Sequence, residues 1–144
     1  MSPEIINSKL LLLQQVLKDL KPHVSASSSS QDTHHYEIER QVQLAVDLAL
    51  AIGRRILLLN SIAGPETSRD VFLALQKLRI ISPKLSHQLT AAVGLRNLLV
   101  HEYGKIDYDL FFGGLKIGFA AFVSFAGTAS QFVQKKRPKN KARL

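Results

Sequence analysis

Cysteine is absent from these 144 residues. That excludes a disulfide framework and a thiolate zinc site, and it permits a reducing compartment. No apolar run reaches the ~20 residues of a membrane span. The nearest stretch, "FFGGLKIGFAAFVSFAGTA", is interrupted by Lys116 and several glycines, so a buried or amphipathic helix is expected there and no membrane partner. The segment "MSPEIINSKLLLLQQVLKDL" has no basic leader and no small-residue cleavage site. A signal peptide is therefore not expected, and the cytoplasm is the expected location. No segment shows the period-two alternation of a strand. There is no glycine-rich phosphate loop and no G-x-S-x-G, so nucleotide hydrolysis and acyl transfer have no signature here.

Acidic residues are scarce, 11 against 19 lysines and arginines, giving a formal charge of +8. The excess is concentrated at one end. The last ten residues, "KKRPKNKARL", hold six basic residues and no acid, which leaves 13 basic and 11 acidic residues over 1–134. Two regions follow: a folded domain over 1–134 and a basic, disordered tail over 135–144. The tail either solubilises the chain or adds electrostatic grip on a polyanion.

The chain reads as helices throughout. Ser2-Pro3-Glu4 is a helix start, and Ile5, Ile6, Leu10, Leu13, Leu17 and Leu20 follow one stripe until Lys21-Pro22 stops it. "SASSSS" at 25–30 reads as a flexible connector. A long helix is expected from about Asp32 to Asn60, loosened at Gly53. After the "SIAGPET" loop come helices over about 68–78 and from Ser82-Pro83 to about Tyr103. Gly104 suits a left-handed closing position. Asp107 caps a last helix to about Gln134. The expected architecture is all-α, an up-and-down bundle of about five helices with hydrophobic content, 46%, suited to one core.

One stretch carries chemistry: "LRNLLVHEYG", 95–104. At 100° per residue with Arg96 at 0°, Asn97 falls at about 100°, His101 at about 140° and Tyr103 near −20°. Leu95, Leu98 and Leu99 fall between about 200° and 300° and are expected to pack inward. Val100, at about 40°, is an apolar residue inside the polar arc, which suggests that a second copy of the chain covers this face. Arginine is a permanent cation whose planar fork fits phosphate oxygens. Histidine moves protons near neutral pH. Together they suffice to cut RNA without a metal or other cofactor. The imidazole takes the 2′-OH proton or gives one to the leaving 5′-oxygen, and the guanidinium stabilises the charge that builds on phosphorus. One imidazole cannot easily be base and acid at once, so a homodimer sharing its site is attractive. The same residues would also suit a structural ion pair, or a polar face that only seals a dimer.

"RNLLVHEY" matches R-x4-H-x-Y and resembles the signature of the HepT-like toxins of the HEPN superfamily. "ERQVQLAVDLALAIGRRIL" is similar to their long second helix, and "SRDVFLALQKLRIISPKLSHQLTAAVGLRNLLVHEYGKIDYD" to the next two. The likeness covers about residues 36–134. It implies a dimeric, metal-independent ribonuclease toxin, with transfer RNA the favoured substrate and messenger RNA next. It also implies an MNT-type nucleotidyltransferase antitoxin as partner, which transfers AMP to the tyrosine that matches Tyr103. Arg96 and His101 match the catalytic pair, and Asn97 the polar residue after the arginine. AMP on Tyr103 would place bulk and negative charge beside Arg96. Asp47 matches an acid common in the family and is expected to orient Arg96. Arg54 and Arg55 replace residues that are often polar in relatives, and read as phosphate contacts or solvated helix-end charges. Lys105 and Tyr108 could line the RNA groove. His35 and Glu39 have i,i+4 spacing but no visible third ligand, so no metal site is expected. A non-catalytic helical module that serves a separate nucleotidyltransferase is the alternative function.

Overall fold

The computed structural model describes residues 4–101 and 103–136, with the side chains of Tyr103 and Lys136 left out. Its helices are α1 (Glu4–Val24), α2 (Ser28–Thr33), α3 (His35–Leu59), α4 (Ser68–Lys77), α5 (Pro83–His101), α6 (Tyr108–Gly113) and α7 (Leu115–Lys136). A 3₁₀ turn, Tyr103–Lys105, follows α5. Among the described residues there is no strand. Five helices of ten residues or more form the bundle, and the two short ones sit at its turns, as an all-α architecture of about five helices requires. No described helix is long and apolar enough to cross a membrane.

Burial explains which segments persist. Ile6, Leu10, Leu13, Leu17 and Leu20 lie on one stripe of α1 and are all buried, against α3 and α7. That anchoring carries α1 past Pro22, which lies inside the helix instead of ending it. A proline so near the end forfeits one hydrogen bond, and Gln31 Nε2 holds the end by donating to the His23 carbonyl at 2.9 Å.

Four further points differ from the sequence reading. The serine run is not a connector: Ser27 Oγ accepts from the Ser30 amide at 3.1 Å and caps α2, the role for which a short side-chain acceptor is suited. The last helix is two. Asp107 Oδ1 accepts from the amides of Asp109 and Leu110, as a cap should, but α6 stops at Gly113 and α7 begins after Gly114. Adjacent glycines weaken a helix at that point. Gly104 is not left-handed, since no described glycine has positive φ. The left-handed positions are Ser61 and Arg79, both at φ 60°, where they terminate α3 and α4. The Ile62 amide returns to the Leu57 carbonyl at 2.9 Å and the Ile80 amide to Leu75 at 3.0 Å, the six-to-one bond of a Schellman ending. The basic segment is part helix, because α7 runs to Lys136; residues 137–144 lie outside the described set.

Gly53 does not loosen α3. A Cβ there would lie 2.8 Å from Val71 Cγ1 and 3.2 Å from Leu75 Cδ1, so the missing side chain lets α4 approach. The main core joins α1, α3, α4, α5 and α7 around Phe72 and Phe125. A second cluster of Leu20, Ile38, Val42, Leu99, Phe111 and Leu115 packs where α5 ends.

Candidate functional site

Helix α5 sets the site. Ser82 Oγ accepts from the Leu85 amide at 3.1 Å and fixes its start. Leu85, Ser86, Leu89 and Val93 are buried, and on the helical wheel they fall between about −20° and 80° of Arg96. Arg96 and Val100 therefore continue the inward stripe. They do not stand opposite it, which corrects the expectation that Leu95, Leu98 and Leu99 alone face inward. Leu99 is buried in the second cluster. Leu95 and Leu98 are half-buried and line a separate apolar groove toward α6 and α7, with a volume of about 660 Å³. The main core ends one turn before Arg96, and the helix leaves a notch against α3.

Asp47 of α3 stands across that notch. Arg96 Nε lies 3.5 Å from Asp47 Oδ1, with 19% of the arginine side chain and 45% of the aspartate exposed. Nε is itself buried and makes no hydrogen bond, so the attraction is that of an ion pair without aligned donor geometry. The Arg96 side chain is held at the edge of the bundle with about a fifth of its surface in water. Asn97 is half-buried beside it, and Val100 is 44% exposed. His101, the last residue of α5, is exposed. His101 follows Arg96 by five positions, about 7.5 Å along the axis and about 140° around it. One chain thus presents its guanidinium and its imidazole in different directions.

The other residues singled out in the sequence divide. Tyr103 lies in the 3₁₀ turn just past the helix, and its side chain is outside the described set. Lys105 is exposed and borders the apolar groove, next to Ile106 and Asp107. Arg54 lies seven residues, about 10 Å, beyond Asp47 along α3. Its Nη1 donates to the Pro65 carbonyl at 2.8 Å and ties down the loop after α3. Arg55 is half-buried on the same turn.

Tyr108 belongs to a network at the start of α3. Its hydroxyl donates to Glu39 Oε2 at 3.1 Å, and His35 Nδ1 lies 2.7 Å from the same oxygen. The rings of His35 and Tyr108 meet edge to face with centroids 5.2 Å apart. The third partner of the His35–Glu39 pair is thus a phenol. Among the described residues no cluster of three metal-ligating side chains forms. Glu39 is 5% exposed, and its other oxygen, Oε1, is buried without a hydrogen-bond partner. An unsatisfied buried acceptor costs on the order of 1–3 kcal/mol. Sequence reasoning saw the i,i+4 pair but not this burial, because Tyr108 is 69 residues away.

The sequence and the fold are similar to those of known proteins. The family model described as HepT-like ribonuclease matches residues 10–126. A protein of Aphanizomenon flos-aquae named tRNA nuclease HepT is 34% identical over 121 residues, covering 82% of this chain and 81% of its own. A Shewanella oneidensis protein named mRNA nuclease HepT is 27% identical over 113 residues, covering 74% and 82%. Among solved structures, a tri-AMPylated Shewanella oneidensis HEPN toxin in complex with an MNT antitoxin superposes with a TM-score of 0.80 at 24% identity. It covers 88% of this chain and 97% of that one.

Proposed function

The chain belongs to the HepT-like ribonuclease family, and from that premise we propose that it is the ribonuclease toxin of a toxin–antitoxin pair. The observation that carries this reading is a half-buried Arg96, paired with Asp47 at 3.5 Å, on the helix that ends in exposed His101. The proposed reaction needs no metal. Arg96 binds the scissile phosphate. The imidazole of His101 takes the proton from the adjacent 2′-OH, and that oxygen attacks phosphorus. The P–O5′ bond breaks, and the 5′-oxygen takes a proton from the His101 of a second copy. The products are a 2′,3′-cyclic phosphate and a 5′-hydroxyl. The guanidinium offsets charge as the phosphorane-like transition state forms, while Asn97 supports the phosphate.

Two chains suit this scheme because Arg96 and His101 of one chain point apart, and because Val100 exposes an apolar surface between them. Transfer RNA is the first substrate to test and messenger RNA the second, following the names of the two relatives. An MNT-type nucleotidyltransferase is the proposed antitoxin, acting by AMP transfer to Tyr103. The cytoplasm, where transfer RNA is found, is the proposed location.

The test is cleavage of purified transfer RNA by the wild-type chain and by His101→Ala. Loss of one general acid–base group should cost at least about 10²-fold, with the helix content unchanged because His101 is exposed. Equal cleavage by the two proteins would end the reading.

A further inference from the structure

One turn along α3 from Asp47, a cavity of about 210 Å³ opens between α3 and α5. Its wall is Tyr36, Glu39, Arg40 and Gln43 of α3 and Leu99 of α5. On the α3 wheel Tyr36, Arg40, Gln43 and Asp47 fall within about 60° of one another, so the cavity and the Arg96–Asp47 pair share one stripe. From Asp47 opposite Arg96 to Gln43 beside Leu99, the two helices run antiparallel. The cavity therefore lies toward His101, at the end of α5 where the proposed cut is made.

We propose that this cavity is a base-binding subsite for the RNA nucleotide next to the scissile phosphate, and that it selects guanine. The inference rests on the ribonuclease reading above. Tyr36 provides the flat surface: its ring is backed by His35 at a centroid distance of 3.9 Å and remains 67% exposed. Unpaired bases are commonly held by stacking on such rings and read along their Watson–Crick edges. Arg40 is exposed at the rim and carries the charge that draws a phosphate. Glu39 provides the selectivity. Its Oε2 is already engaged by Tyr108 and His35, while Oε1 is an acceptor with nothing to accept from. Glu39 forms part of the cavity wall together with the exposed Tyr36 and Arg40. Guanine offers two adjacent donors, N1–H and the 2-amino group, to such an oxygen. Uracil offers one imino donor between two carbonyls that a carboxylate repels. The space is several times what one ordered water occupies, so a lone water does not fill it.

The full-length chain, labelled at leucine methyls, is titrated with GMP, AMP, CMP and UMP and followed by NMR at Leu99. GMP is expected to shift the Leu99 methyls and to bind at least about tenfold tighter than UMP. Tyr36→Ala, at an exposed position, should weaken GMP about tenfold. Glu39→Gln should erase the preference for GMP over UMP, and Tyr36→Ala decides alone should that variant not fold. Equal affinity for the four nucleotides, no binding, or a Tyr36→Ala chain that binds GMP as wild type does would overturn the subsite. The two readings fail separately. GMP selection by a chain that leaves RNA intact would sink the nuclease and keep the pocket. RNA cleavage without GMP selection would do the reverse.

Discussion

Arg96 combines two properties that rarely coincide: its Nε is buried without a hydrogen bond, and its side chain still reaches water. An ion pair with a half-exposed aspartate contributes only about 0–1 kcal/mol to folding, so stability does not explain Asp47. In the proposed reaction positioning does: Asp47 would hold the guanidinium toward α3 and limit the directions in which it can meet a phosphate. Asp47→Ala is therefore expected to lower kcat for RNA about tenfold with little change in KM. The melting temperature should fall by no more than about 4 °C. Recovery of most of kcat in Asp47→Glu would separate positioning from a merely structural role. A loss confined to melting temperature would assign Asp47 to the scaffold. The identity of these residues was readable from the motif and from the resemblance. Their surroundings were not. Periodicity places Arg96 on a wheel, but only the positions of α3 and the end of the main core determine that this side of the wheel points inward.

Helix α5 shows why. It packs against α3, α4 and α7, so apolar residues occur nearly all round it and no single stripe stands out. The long stripe of α1 was legible because that helix buries one face alone. Boundaries that depend on a single polar group were half legible. Asp107 and Ser82 were recognisable as caps, whereas Ser27 lay inside a serine run that composition alone renders as a linker. The left-handed endings were misplaced for a physical reason. Glycine is the expected residue there, but the Schellman bonds of α3 and α4 force Ser61 and Arg79 into φ 60° instead. Non-glycine residues pay about 1–2 kcal/mol for that conformation, part of which a glycine returns through the looser unfolded chain. Arg79→Gly, at an exposed position, should therefore stabilise the protein by about 0.5–1 kcal/mol, raising the melting temperature by about 2–4 °C. Calorimetry checks this, and a lower melting temperature would show that Arg79 has a stabilising contact of its own.

For the molecule as a whole, the proposed reaction gives one chain half a site. About 140° of helix separates the directions of Arg96 and His101, so in that reaction a second copy brings the other imidazole to the phosphate. Wild-type and His101→Ala chains, unfolded and refolded together, should form mixed dimers that cut RNA at least about 10²-fold more slowly than wild type, because each holds only one of the two imidazoles. Mixed dimers, present by native mass spectrometry, that keep about half of the wild-type cleavage would confine the site to one chain. The most direct measurement uses one RNA in two forms, identical except for a 2′-deoxy sugar at the cut, incubated with the chain in excess EDTA. The ribose form should be cut to a 2′,3′-cyclic phosphate and a 5′-hydroxyl, and the deoxy form should remain whole. Cleavage of both forms at one rate, or complete loss of cleavage in EDTA, would contradict a reaction carried by Arg96, His101 and the sugar's own hydroxyl.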